Sequence, residues 1–259
     1  MLEAKSTVSS EASDLDEVAS QRPPRKLKRP VLIVLHHERS DPGHVGHWFR
    51  RNGYALDVRK PCFGDPLPAT LAHHCGAVIF GGPMSANDKD AFICRETEWI
   101  GVALNEQKPF LGICLGAQML ANHLGAKVGL HPEGWAEIGY YPILTTAAAQ
   151  ELGSFPEQVY QWHREGFGLA LGARLLATST GAYPNQAFGY GSAIALQFHP
   201  EITYAQVQRW TGHNHLRLGI KGARAHHEHI EGHLHHAPTV HAWLDRFLRR
   251  WVATELTIA

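Results

Sequence analysis

Three short stretches of this chain carry nucleophilic, basic and acidic side chains at spacings suited to attack on an acyl carbon. The first is Phe110-Leu-Gly-Ile-Cys114-Leu-Gly-Ala-Gln118. Its apolar run predicts a buried strand, and Gly112-x-Cys114-x-Gly116 predicts the tight strand-to-helix turn on which a nucleophile stands clear of the sheet. At a helix N-terminus the macrodipole and the free N–H groups favour thiolate over thiol. The N–H of Leu115 would then face an oxyanion forming beside the sulfur. A free cysteine is often only a small buried hydrophobe, so the thiol needs a partner. Gln197-Phe-His199-Pro-Glu201 supplies one. Alternate residues of an extended segment point the same way, so His199 and Glu201 can lie side by side with Pro200 stiffening the pair. A carboxylate against an imidazole fixes its tautomer and stabilises the imidazolium. The third stretch, Phe80-Gly-Gly-Pro-Met-Ser85, ends another apolar run in glycines. Pro83 has no N–H, so Gly82 is the candidate for a second oxyanion donor.

The elements that must hold these groups follow from the pattern of apolar runs. Val31 to Leu35, Ala77 to Phe80 and Pro109 to Ile113 are short and wholly apolar or small, as in strands buried on both faces. Between them, His44 to Arg51 (stopped by Asn52-Gly53) and residues 91 to 106, with Ile93, Ile100, Ala103 and Leu104 on one face, have a helical period. Leu115 to Leu124 continues the nucleophile turn as a helix. Such alternation predicts an α/β chain whose mainly parallel central sheet carries helices on both faces and its site at the carboxyl ends of the strands. Beyond residue 126 the texture becomes strand-like, at 137–144, 158–163, 175–178, 186–190 and 193–198. A C-terminal helix at 239–252 is marked by Val240, Trp243, Leu244, Phe247, Leu248 and Trp251, a stripe that reads as core.

Taken together, Gly81-Gly-Pro-Met-Ser85, Gly112-Ile-Cys-Leu-Gly-Ala-Gln118 and Gln197-Phe-His-Pro-Glu201 resemble the three signatures of class I glutamine amidotransferases, in the family's order over roughly residues 31 to 205. The similarity is greatest to the amidotransferase domain of GMP synthase and its free-standing relatives. The resemblance implies a flavodoxin-like α/β sandwich and a catalytic triad of Cys114, His199 and Glu201. It implies an oxyanion hole of Gly82 and Leu115, and substrate contacts from Gln118 and from His163 of Trp162-His163. Arg164-Glu-Gly-Phe167 departs from the Gly-Asp-Thr-Phe expected of free-standing members. The implied reaction is attack of the Cys114 thiolate on the glutamine side-chain amide, protonation of ammonia by His199, and hydrolysis of the thioester, with neither metal nor organic cofactor. Ammonia would pass to an acceptor, such as a synthetase subunit in trans, and activity without that partner would be weak. Fewer than sixty residues follow Glu201, short of an ordinary second catalytic domain, and neither a Gly-x-x-x-x-Gly-Lys-Ser/Thr loop nor a Ser-Gly-Gly-Val-Asp-Ser stretch occurs. The alternatives are a free-standing γ-glutamyl peptidase and a non-catalytic binding protein of the same fold.

Composition narrows the rest. The chain has 259 residues, 44% hydrophobic and 19% charged, with Lys+Arg 24 against Asp+Glu 24. It has no general field for nucleic acid, and its apolar runs are too short to span a membrane. The four cysteines (Cys62, Cys75, Cys94, Cys114) form no Cys-x-x-Cys pair, and no signal peptide is apparent. A cytoplasmic location is expected. Residues 1–29, polar and Pro-containing, read as a disordered tail, and 30–259 as a single amidotransferase domain. The basic run from Arg22 to Arg29 reads as a solvated linker. Among 19 histidines, nine fall in the segment 213–241. No ligand set such as His-Glu-x-x-His emerges, so the segment reads as an exposed helix-loop insertion beneath the C-terminal helix, with no metal site.

Overall fold

In the computed structural model, residues 28–213 and 215–253 are described. Strand β1 (Val31–Val34) is hydrogen-bonded in parallel to β2 (Leu56–Arg59) on one side and to β3 (Gly76–Ile79) on the other. β3 pairs in parallel with β4 (Phe110–Ile113), and β4 with β12 (Ala193–Leu196). Antiparallel strands β11 (Asn185–Tyr190), β10 (Arg174–Thr178) and β7 (Leu144–Thr145) complete an eight-stranded sheet in the order β2-β1-β3-β4-β12-β11-β10-β7. Two antiparallel pairs stand beside it: β5 (Val128–Leu130) with β9 (Glu165–Phe167), and β6 (Glu137–Pro142) with β8 (Gln158–His163).

Alternation along the central strands sorts the core into two layers. Val31, Ile33, Val78, Leu111 and Ile113 pack with helices α1 (Gly43–Arg51) and α5 (His226–Val252), the latter preceded in the chain by α4 (Tyr204–His213), through Trp48, Phe49, Trp243, Phe247 and Trp251. Leu32, Val34, Ala77, Ile79 and Phe110 pack with α2 (Ala91–Asn105) and α3 (Leu115–His123), through Ile93, Ile100 and Met119. Helices therefore cover both faces of a mostly parallel sheet, as the apolar runs predict. The second strand runs one residue earlier than expected. β2 is an addition: Leu-Asp-Val-Arg is a half-exposed edge strand, too short and too polar to announce itself.

The histidine-rich segment differs from its expectation. From His226 onward it is no loop insertion, because α5 is continuous from His226 through Pro238 to Val252. Its first turn is closed by the Glu228 carboxylate accepting from the Ala225 N–H at 2.7 Å. His229 and His233 are buried against the β6–β8 pair, where Tyr160 Oη lies 2.9 Å from His229 Nδ1 and Tyr140 Oη 3.1 Å from His233 Nδ1. Histidine here supplies a flat, half-apolar body with a polar edge that tyrosine satisfies. Among the described residues no group of three His, Cys, Asp or Glu side chains is gathered closely enough to hold a metal ion. The expected tail falls outside the described residues up to position 27. Lys28 lies over the Tyr54 ring and donates to the Asn52 carbonyl.

Candidate active site

Strands β3, β4 and β12 are adjacent, parallel and end together, so the three motifs that follow them meet at one edge of the sheet. Cys114 stands between Ile113, the last residue of β4, and Leu115, the first of α3, with φ 52 and ψ −104. That is a strained backbone for a residue with a Cβ, and it persists only where the surroundings enforce it. Here the Cys114 N–H donates to Leu196 O at 2.8 Å while its carbonyl accepts from Gln118 N–H at 3.0 Å. The glycines make room: a Cβ at Gly112 would lie 2.5 Å from Gly116 O, and one at Gly116 would lie 2.1 Å from Ile79 O.

His199 follows β12, its N–H donating to Tyr160 O at 2.8 Å. Its ring Nδ1 lies 2.8 Å from Glu201 Oε1, and both side chains are almost fully buried. Nε2 has no conventional partner; what influences the ring from that environment is Cys114. Burial on its own disfavours the charged imidazole, but the Glu201 carboxylate and Cys114 outweigh it and raise His199 to about 10. The ring is thus held as an imidazolium at neutral pH. Its edge packs against Trp210, centroids 5.0 Å apart. Glu201 is anchored through its backbone, whose carbonyl accepts from His44 N–H at 2.8 Å at the start of α1.

These groups open into a cavity of about 590 Å³. Cys114, His199, Glu201 and Gly82 line it, and so does Trp162 of the expected Trp162-His163 pair, together with Trp210 and Arg217, which the motifs did not reveal. Leu115 sits just behind, its side chain beside Gly82, and as the first residue of α3 its N–H has no intrahelical acceptor. Two expected substrate contacts are committed elsewhere. The Gln118 amide donates to Glu165 O at 2.8 Å, and His163 lies 2.9 Å from the same oxygen through Nδ1 and 3.2 Å from Glu137 Oε2 through Nε2. Neither lines the cavity. Along β8, alternation turns Trp162 to the cavity and His163 to the other side. Of the remaining cysteines, Cys75 is pushed up to about 11 by burial, Cys62 is also raised by burial, and Cys94 is exposed on α2.

Residues 42–211 match the family model of class I glutamine amidotransferases. The chain belongs to that family. This amidotransferase is 32% identical over 200 residues to the glutamine amidotransferase-like protein YfeJ of Salmonella typhimurium, covering 73% of this chain and 82% of that protein. It is 31% identical over 197 residues to the GMP synthase of Aeropyrum pernix, across 75% of this chain but 37% of the synthase. The amidotransferase therefore spans little more than a third of that longer enzyme. Among solved structures, a glutamine amidotransferase from Thermotoga maritima superposes with a TM-score of 0.79 at 32% identity, covering 86% of this chain and 97% of that one. Among the described residues of the amidotransferase, no helix is long and apolar enough to cross a membrane.

Proposed function

We propose that this chain releases ammonia from the side-chain amide of glutamine through a cysteinyl thioester, for an acceptor enzyme acting in trans. The observation that carries the reading is the buried pair of His199 and Glu201, 2.8 Å apart, lining one cavity with a cysteine on a strained strand-to-helix turn. Cys114 attacks the amide carbon, the C–N bond breaks, and the His199 proton goes to the departing ammonia. The neutral imidazole then takes a proton from water, and the resulting attack on the thioester frees glutamate and expels the sulfur as the thiolate that began the cycle, beside a protonated ring. Gly82 and Leu115 N–H groups stabilise the oxyanion of each tetrahedral intermediate. Gln118 acts from behind, holding the β9 backbone through the Glu165 carbonyl. His163 likewise shapes the wall through Glu137 and Glu165.

A second reading, hydrolysis of γ-glutamyl peptides, is favoured by the cavity itself. About 590 Å³ is a volume that takes a drug-sized ligand, and one free amino acid leaves much of it empty. Arg217, half-buried in its wall, is destabilised as a cation by burial and by Arg164, and favoured by Cys114. A carboxylate on the departing amine would meet it. One experiment tests both readings: ammonia release from glutamine measured beside cleavage of γ-glutamyl dipeptides, with Cys114→Ala as control. Glutamine turnover lost in Cys114→Ala supports the first reading. Dipeptide turnover without glutamine turnover replaces it with the second, and turnover unchanged in Cys114→Ala sinks both.

A further inference from the structure

Behind the Gly81-Gly82 loop lies a second buried histidine–carboxylate pair that the reaction above does not use. His36 follows β1, and Glu96 lies in α2 on the apolar face of Ile93 and Ile100. Their side chains are 0% exposed, and His36 Nε2 is 2.7 Å from Glu96 Oε2. The other ring nitrogen, Nδ1, lies 3.2 Å from the Gly81 carbonyl oxygen. Two buried ionisable side chains are costly to maintain where apolar groups would pack as well. That cost points to what they hold.

We propose that His36 and Glu96 are positioning residues for the oxyanion loop. The inference rests on the reading of Gly82 as an oxyanion donor. A carbonyl oxygen can only accept, so Nδ1 must carry a proton and donate to Gly81 O. Whether the proton between Nε2 and Glu96 sits on the ring or on the carboxyl, Nδ1–H survives. The Gly81 carbonyl and the Gly82 N–H belong to one planar peptide and point in opposite directions. Gripping the oxygen from behind therefore aims the N–H of Gly82, which lines the cavity, toward Cys114. Hydrogen bonding at the oxygen also polarises the peptide and strengthens its N–H as a donor. Sterics keep the loop against this grip: a Cβ at Gly82 would lie 2.8 Å from His36 Cβ and 2.9 Å from Leu115 Cδ2. His36 thus forms one wall of the slot and supplies its hydrogen bond.

The test separates oxyanion stabilisation from thiol reactivity. Displacement at iodoacetamide forms no oxyanion, whereas attack on an amide does. The double variant His36→Phe/Glu96→Leu removes both polar partners while keeping apolar bulk, a change that folded proteins tolerate better than loss of one partner. Its kcat for glutamine or γ-glutamyl dipeptide is expected to fall roughly ten- to a hundredfold, less than outright loss of an oxyanion donor. KM and the rate of Cys114 alkylation by iodoacetamide, located by mass spectrometry, stay within about threefold. Glu96→Gln, whose amide can donate to Nε2 and so preserve Nδ1–H, is expected to keep kcat within about threefold. A double variant with undiminished kcat, or one whose alkylation rate falls in step with kcat, overturns the positioning role. So does a Glu96→Gln protein as impaired as the double variant. Absence of any turnover in the unaltered protein overturns the hydrolase reading and this inference together, whereas equal turnover in both proteins overturns only the inference.

Discussion

At the scale of single residues, the charge state of His199 is decided by Glu201. Both are nearly fully buried, and burial alone would drive the imidazole toward its neutral form. Removing the carboxylate charge while keeping an isosteric amide therefore shifts the balance back to desolvation. In Glu201→Gln the His199 ring, followed by NMR with ε-labelled histidine and assigned with His199→Gln, should titrate several pH units below the value of about 10 in the parent protein. An unmoved titration in Glu201→Gln would mean that Cys114 alone holds the proton, and the triad reading would shrink to a dyad. The same scale explains which site residues the sequence discloses. Cys114 directly follows an apolar strand, and Gly82, His199 and Glu201 come a few residues after one, so their position at a sheet edge is readable from local pattern. Trp162 and His163 are not separable that way. β8 is buried on both sides from Val159 to His163, and a strand without polar alternation does not reveal which neighbour faces the cavity. His36 and Glu96 are 60 positions apart. The local signs, a histidine capping a buried strand and a glutamate within an apolar helical stripe, acquire meaning only once β1 and α2 are packed.

At the scale of elements, the site depends on how closely α3 approaches β3. Gly116 lies within the first turn of α3, and a Cβ there would fall 2.1 Å from the Ile79 carbonyl oxygen and 2.8 Å from its carbon. Those are backbone atoms of a central strand, so the helix must move instead. Gly116→Ala is expected to cost about 3 kcal/mol in urea unfolding, at the upper end for overpacking a core. It should also lower kcat, because the same displacement carries Cys114 away from Gly82, whereas a tolerated change with normal turnover would contradict the close packing. Gly112, whose Cβ would meet Gly116 O at 2.5 Å, belongs to the same constraint. The Gly-x-Cys-x-Gly spacing therefore states a packing distance, which is why the strand–helix junction could be placed from sequence. The limits of α5 could not: its apolar stripe is clear only from Val240 onward, and the helix reaches back to His226 through histidines that a hydrophobic pattern counts as polar. Tyr140 and Tyr160 make two of those positions, His233 and His229, interior.

At the scale of the whole molecule, histidine sets the response to acid. Where α1 and α5 meet, the rings of His44 and His241 lie tilted against each other with centroids 3.6 Å apart, and His233 lies 6.1 Å from His241. His44 is lowered to about 4, chiefly by burial and then by His241, His47, His233 and Arg51. His233 is lowered to about 4 by burial and His241, with Tyr140, Tyr204 and His241 as its ring contacts. His241 is lowered in turn by burial, against the Ile202 carbonyl. A base whose folded value lies below its unfolded 6.5 binds fewer protons when folded. Its stabilising effect is complete above pH 6.5 and is lost as pH falls toward 4. His199 has the opposite sign: its contribution is complete below 6.5 and declines only as pH rises toward 10. Between pH 6.5 and 5 it changes little, and most carboxylates are still ionised, so the slope in that window belongs to the lowered histidines. Urea unfolding should give steadily lower stability from pH 7 to pH 5, and His44→Gln/His233→Gln should flatten that decline whatever it does to stability at pH 7. A decline equally steep in the variant would relocate the acid sensitivity. Acid should also reach the chemistry, because α1 begins at Gly43, where a Cβ would lie 2.1 Å from Glu201 O, and His44 N–H binds that same oxygen. Charging the ring of His44 loosens the contact that fixes Glu201, so turnover is expected to fall in the same pH window as stability, and to fall less in the double glutamine variant.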